Sequence, residues 1–198
     1  MIKFKSMCQE IPYSIFKKKY REALNLGQKN VEAIAISSYN KEKKEVDSRF
    51  VNLKIIDDRN FIFFSNYNSP KSIAFKSNDQ ISALLFWSTS NVQIRIKAKI
   101  NKTSLEFNHS YFKKRSRDKN ALAISSDQSK KIQSYDHVLM KYKNIKENKD
   151  LLECPNYWGG FSFIPYYFEF WEGHESRINK RTAFKRFNGD WKQYILEP

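Results

Sequence analysis

Four short stretches concentrate side chains able to hold an anion: Arg49 to Lys54 (RFVNLK), Ser65 to Lys71 (SNYNSPK), Gln93, and Gln128 with Ser129. Each falls where a β-like run ends or turns. Serine, lysine and arginine side chains, joined by the N–H groups of a turn, make a cradle for phosphate. Singly, each is as well explained as a solvated surface residue, so the reading needs a fold that gathers them. A fifth stretch, WGGFSFIPYYFEFWEGHESRINKR from Trp158 to Arg181, holds two of the four tryptophans and three of the five glycines, then turns polar and basic through Arg177 and Arg181.

Other chemistries find little support. Cys8 and Cys154 are far apart, and His109, His137 and His174 are scattered, so no metal-ligand spacing is present. Lys and Arg exceed Asp and Glu by 36 − 21 = 15. The lysines are spread through nearly every segment, which suits a solvated surface better than a nucleic-acid stripe. No window approaches the ~18 apolar residues of a membrane span, and the first residues lack a signal-peptide core. The expectation is a cytoplasmic protein with reduced thiols, no metal, no nucleic-acid partner and no membrane partner. A length of 198 residues with 40% hydrophobic and 16% aromatic content predicts one domain, 1–198, with a substantial core.

The elements that must position these residues are mostly strands. Apolar residues at helical spacing from Ile11 to Leu24, closed by Gly27, predict an amphipathic helix. β-like runs follow at 31–37, 49–56, 61–65, 81–87 and 92–100. The last alternates strictly, with Val92, Ile94, Ile96, Ala98 and Ile100 opposite Gln93, Arg95, Lys97 and Lys99. Thr103 and Glu106 have capping-box spacing and predict a helix through Tyr111 and Phe112. A further helix is expected from about 130 to 146, with 144–150 as an exposed connection. Strands resume at 161–171, 183–187 and 191–195, the last two joined at Asn188-Gly189-Asp190. Residues 1–10 carry no such signal and are open to disorder. This order predicts a small closed antiparallel barrel with helices packed outside.

With the elements in order, the motifs resemble the pyridoxamine 5'-phosphate oxidases, flavin-dependent split-barrel enzymes, almost end to end from Ile11 to Pro198. The resemblance rests on RFVNLK at 49–54, FFSNYNSPK at 63–71, LLFW at 84–87, Gln93, YFKKRSRD at 111–118, SSDQS at 125–129, YWGGF at 157–161, FEFWEG at 168–173, RINKR at 177–181 and the closing LEP. It implies a mainly β fold with flanking helices: an FMN-binding split β-barrel, antiparallel and Greek-key-like. It places the FMN site on Arg49, Phe50, Val51, Asn52, Leu53, Lys54, Phe64, Ser65, Lys71, Gln93, Gln128, Ser129, Trp171 and Arg181. It places a phosphorylated pyridine substrate on Lys54, Tyr111, Arg115, Lys119, Arg177 and Asn179, the last two at the catalytic positions. It also implies a homodimer with shared FMN sites, 168–198 being the dimerisation and active-site segment. Trp158, Phe161, Phe163, Phe168 and Phe170 are read as core.

Several positions depart from the family. Pro70 stands where an arginine accompanies Lys71, Lys119 replaces a serine, and Asn179 replaces a histidine; Glu172 and Lys180 differ as well. Asparagine cannot titrate near neutral pH. The reading is therefore an FMN-dependent oxidase forming pyridoxal 5'-phosphate and hydrogen peroxide. The alternatives are a diverged flavoenzyme with another substrate, or a non-catalytic binder of FMN or pyridoxal phosphate. Arg49 and Lys54 are five residues apart and would face opposite sides of a regular strand; if both touch one flavin, Arg49 must lie at the strand end or beside a bulge.

Overall fold

The computed structural model describes residues 1–198. In chain order the elements are β1 (Lys3–Phe4), α1 (Ile11–Asn25), β2 (Ala33–Asn40), β3 (Glu45–Asn52), β4 (Ile55–Asp57), β5 (Asn60–Asn66), α2 (Pro70–Ser77), β6 (Gln80–Trp87), β7 (Val92–Lys102), α3 (Leu105–Lys113), α4 (Arg117–Ser125), α5 (Tyr135–Asn148), β8 (Trp158–Glu172), β9 (Lys180–Phe187) and β10 (Asp190–Leu196). One ten-stranded sheet runs β1-β4-β5-β8-β7-β6-β2-β3, with the β9–β10 hairpin attached to β8. No backbone ladder joins its two ends, so the closed barrel expected from the strand pattern is instead a split one. All pairings are antiparallel except β1 with β4.

The split has a local cause. The Leu53 N–H donates to Glu32 O beside β2, whereas the next residue, Lys54, donates to Ile62 O of β5. Two adjacent residues thus pair with opposite ends of the strand path, and the chain itself bridges the gap. The single run expected at 49–56 is broken there into β3 and β4, which removes the facing problem between Arg49 and Lys54.

Alternation places Ile94, Ile96, Ala98 and Ile100 of β7 in the core. Opposite Lys97 and Ala98 of β7 the register of β8 slips, leaving Tyr166 unpaired as a bulge. That extra residue shifts the phase, so Phe161 and Phe163 before it and Phe168 and Phe170 after it are all buried. Helix α1 lays Tyr13, Phe16, Tyr20 and Ala23 onto this core, with Phe16 5.1 Å from Phe61 and 5.8 Å from Trp87, ring to ring.

Four local expectations change. Residues 1–10 are ordered, with Ile2 and Met7 buried and β1 paired to β4. The α3 cap is Ser104, whose hydroxyl accepts the Phe107 N–H at 3.2 Å; Thr103 instead donates to Asn108 Oδ1 at 2.6 Å. Helices α2 and α4 lie where no helix was expected. The stretch 144–150 is largely the last turn of α5, which starts at Tyr135 rather than near 130.

Candidate functional site

A cavity of about 1010 Å³ opens where β3, β5, α3 and the loop 126–129 converge. It gathers Arg49, Phe50, Val51, Asn52, Lys54, Phe64, Ser65, Lys71, Tyr111, Arg115, Lys119, Gln128 and Ser129 from the sequence-based set. Leu53 is the exception within its motif, because its side chain is fully buried in the core. Six cationic side chains, Arg49, Lys54, Lys71, Lys114, Arg115 and Lys119, line the cavity against one carboxylate, Glu32. Lys54 lies 3.6 Å from that carboxylate.

At one end the polar groups are unusually buried. The turn after β5 folds on its own side chains: Asn66 Oδ1 accepts the Asn68 N–H at 2.7 Å, and Ser69 and Ser72 hydroxyls donate to Asn66 O at 2.7 and 2.8 Å. Pro70 then occupies the first turn of α2, where a missing N–H costs no helical bond. This delivers Lys71 inward, 6% exposed, with Nζ donating to Ser65 Oγ at 3.2 Å and Ser69 Oγ at 3.3 Å. It has no carboxylate partner; burial first, then the nearby Arg49 charge, push its pKa down to about 8. Arg49 is anchored by Ser38 Oγ at 2.8 Å, Ile36 O at 3.2 Å and Asp47. Gln128 Oε1 accepts from Ser65 Oγ at 3.1 Å and from the Asn66 N–H at 3.3 Å, docking the loop that carries Ser129, a residue with φ of 70°.

At the other end, flat rings make a wall. Phe64 stacks on Tyr111 with centroids 3.7 Å apart and on Trp158 at 5.1 Å, both nearly parallel. The Arg115 guanidinium lies 4.3 Å above the Trp158 ring and donates from Nη2 to Lys119 O at 3.0 Å. Its Nη1 is buried with no hydrogen-bond partner. Burial lowers the Arg115 pKa and raises that of Tyr111. Trp158, expected only as core, is therefore part of the cavity wall; its adjacency to the glycine pair is the signal that could have revealed this. Gly159 and Gly160 are required by crowding, since a Cβ would meet Tyr67 Oη at 2.1 Å and Thr103 Oγ1 at 2.5 Å respectively.

The remaining sequence-based residues lie elsewhere in the chain. Gln93, Trp171 and Arg181 form one cross-strand row on β7, β8 and β9. Arg177, with φ of 60°, and Asn179 belong to the exposed turn between β8 and β9. The Asn179 Oδ1 accepts the His174 N–H at 3.1 Å, which closes that turn. Trp158 and Trp171 sit at opposite ends of β8, thirteen residues apart and so roughly 40 Å along the strand. One chain does not bring the two groups together.

Two separate cationic ends, one around Lys71 and one around Arg115, can each take a phosphate, and the aromatic wall beside Arg115 suits a flat ring. Comparisons with known proteins point the same way. Residues 158–198 match the model of the pyridoxine 5'-phosphate oxidase C-terminal dimerisation region. The pyridoxine/pyridoxamine 5'-phosphate oxidase of Leptospira interrogans is 31% identical over 191 residues, 94% of this chain and 88% of that protein. The protein of the same description from Colwellia psychrerythraea is 33% identical over 190 residues, 94% and 87% of the two chains. Among solved structures, PhzG from Burkholderia lata in complex with tetrahydrophenazine-1-carboxylic acid superposes with a TM-score of 0.89 at 23% identity, covering 98% of this chain and 94% of that one. A pyridoxamine 5'-phosphate oxidase-related, FMN-binding protein from Nostoc punctiforme gives 0.77 at 11% identity, covering 92% and 97%.

Proposed function

Since the chain belongs to the pyridoxine/pyridoxamine 5'-phosphate oxidase family and is an FMN-dependent oxidoreductase, we propose that it oxidises pyridoxamine or pyridoxine 5'-phosphate to pyridoxal 5'-phosphate, with dioxygen as acceptor and hydrogen peroxide as product. The observation that carries this reading is the pairing of two cations without carboxylate partners in one cavity: Lys71, buried, and Arg115, half-buried with its Nη1 atom enclosed and unpartnered. Buried charges are costly unless paired, and a phosphorylated cofactor with a phosphorylated substrate supplies one anion to each.

In this reading Lys71, Arg49, Ser65 and Gln128 hold the cofactor phosphate, and Arg115 with Tyr111 and Lys119 hold that of the substrate. When bound, FMN supplies the two-electron acceptor of the oxidation. The chain's own part is positional: two anchored phosphates fix ring against ring and convert an encounter into an oriented pair. Lys54, which lines the same cavity, offers a positive charge to stabilise developing negative charge. Gln93, Trp171, Arg177 and Arg181 come from the second subunit of a homodimer, which the length of β8 makes necessary if both groups serve one cofactor. A cytoplasmic location belongs to the same proposal.

One observation favours a second reading, a relative acting on another reduced ring. Asn179 stands at a catalytic position yet is engaged by the His174 N–H and cannot carry a proton. Anaerobic mixing of the FMN-loaded protein with pyridoxamine 5'-phosphate tests both. Bleaching of the flavin band near ~450 nm, reversed by air, is the expected outcome. A loaded protein that stays yellow overturns the substrate assignment, and a protein that cannot take up FMN overturns the cofactor site.

A further inference from the structure

We propose that Glu169 is a positioning residue that aims Arg181 at the FMN of the shared site. This rests on the reading above, in which Arg181 meets the cofactor. Glu169 alternates with Phe168 and Phe170 on β8 and so points to the opposite face, yet it is only 1% exposed. Its partners explain how a carboxylate is tolerated there. Oε1 accepts from Arg181 Nε at 3.0 Å and Nη2 at 2.8 Å, a two-pronged grip. Oε2 accepts from Arg95 Nη1 at 3.0 Å and the Tyr167 hydroxyl at 2.8 Å. Every strong acceptor direction of the carboxylate is filled, two per oxygen.

The arrangement follows from the register. Gln93, Trp171 and Arg181 form one row across β7, β8 and β9, and Arg95 and Glu169 face each other on the next row of the same face. An arginine on a strand has several rotamers and would sweep a wide arc. The Glu169 fork removes that freedom, and Arg181 Nη1 is tied further to Glu197 O at 2.8 Å. Of five guanidinium N–H groups, three are spent on these contacts. The two that remain, one on each terminal nitrogen, are fixed in direction next to Trp171. A carboxylate held behind a ligand-binding arginine sets its orientation, as second-layer carboxylates do for metal-binding histidines.

The test is a double-mutant cycle on the full-length protein, read by equilibrium FMN titration and by visible circular dichroism of the bound flavin. Arg181→Lys keeps the charge and loses the fork; Glu169→Gln keeps the shape and loses the charge. Each is expected to raise the FMN dissociation constant about tenfold, with the double variant no weaker than the worse single. Tyr167→Phe removes one neutral donor from the same carboxylate and buries no new charge. It is expected to give a rise of about threefold with an altered dichroism band, and a lowered melting temperature because one acceptor direction of a buried carboxylate is left unfilled. Wild-type affinity in both Glu169→Gln and Tyr167→Phe, with Arg181→Lys impaired, leaves the cofactor reading intact and overturns the positioning role. Independent, multiplying effects in the cycle overturn it too. If Glu169→Gln fails to fold, an unchanged dissociation constant and spectrum in Tyr167→Phe overturns it alone. Wild-type affinity in Arg181→Lys removes Arg181 from the cofactor site, and the inference falls with that assignment.

Discussion

Lys71 shows how much one side chain can reveal once its surroundings are known. From the sequence it is a candidate phosphate ligand, set apart from the other lysines by its place after Ser65 and the prolyl turn. The fold makes it special by burying it without a carboxylate, so that its pKa falls to about 8. The sign of the consequence follows directly. Between about pH 8 and an ordinary lysine value near 10.4, the unfolded chain holds a proton that the folded ligand-free chain has released. Stability of the ligand-free protein therefore rises with pH across that window, and a bound phosphate, by favouring the charged amine, flattens the rise. FMN affinity runs the other way and falls as pH climbs through about 8. Titrations from about pH 6.5 to about 9.5 check this, and Lys71→Met should weaken FMN binding by about tenfold while abolishing the pH step. The Arg115 Nη1 orphan belongs to the same class of information. Its residue type was legible in the sequence, but its lack of a partner is a property of packing alone.

At the scale of elements, periodicity made most of the strands legible and bulges did not. Strict alternation located β7, whereas in FSFIPYYFEFW only Pro165 signals an irregularity, without saying that Tyr166 is the extra residue that lets both halves of β8 bury phenylalanines. Helix α2 was missed because Ser69-Pro70 reads equally well as a turn; its start is visible only once Asn66 is seen to bind the serines after it. The five-residue spacing of Arg49 and Lys54 called for Arg49 to lie at a strand end or beside a bulge; instead Arg49 sits within β3 and the break falls at Leu53-Lys54, where it splits the barrel. Crowding explains the glycine pair at 159 and 160. Its partners turn that into a number: in Gly159→Ala the new methyl would overlap Tyr67 Oη and Asn108 Nδ2, the latter also hydrogen-bonded to Tyr67 at 2.9 Å. Urea denaturation should show a loss of about 2–3 kcal/mol, the cost of overpacking a network that cannot open without losing its bonds.

At the scale of the whole molecule, the two groups of proposed site residues stand at opposite ends of β8, and in the proposed site a second copy unites them. The resemblance read from the sequence implied a homodimer with shared FMN sites; which residues part company within one chain is written in the length of a 15-residue strand. It yields a prediction independent of any assumed contact. Arg115→Ala damages the cavity group and Arg177→Ala the turn group, and each homodimer should be nearly inactive. In a heterodimer of the two, one site takes both lesions and the other takes neither. Half of the dimers in a randomly exchanged equal mixture are heterodimers, so about one quarter of all sites should regain full activity. Mixing the variants under conditions that allow subunit exchange, then assaying turnover of pyridoxamine 5'-phosphate against the unmixed proteins, measures this fraction. Recovery near a quarter means that the anion-binding cavity of one chain works with the Arg177 turn of the other. No recovery, with exchange verified by a tagged subunit, means that each chain builds its site alone and that β8 must bend far enough to close the gap itself.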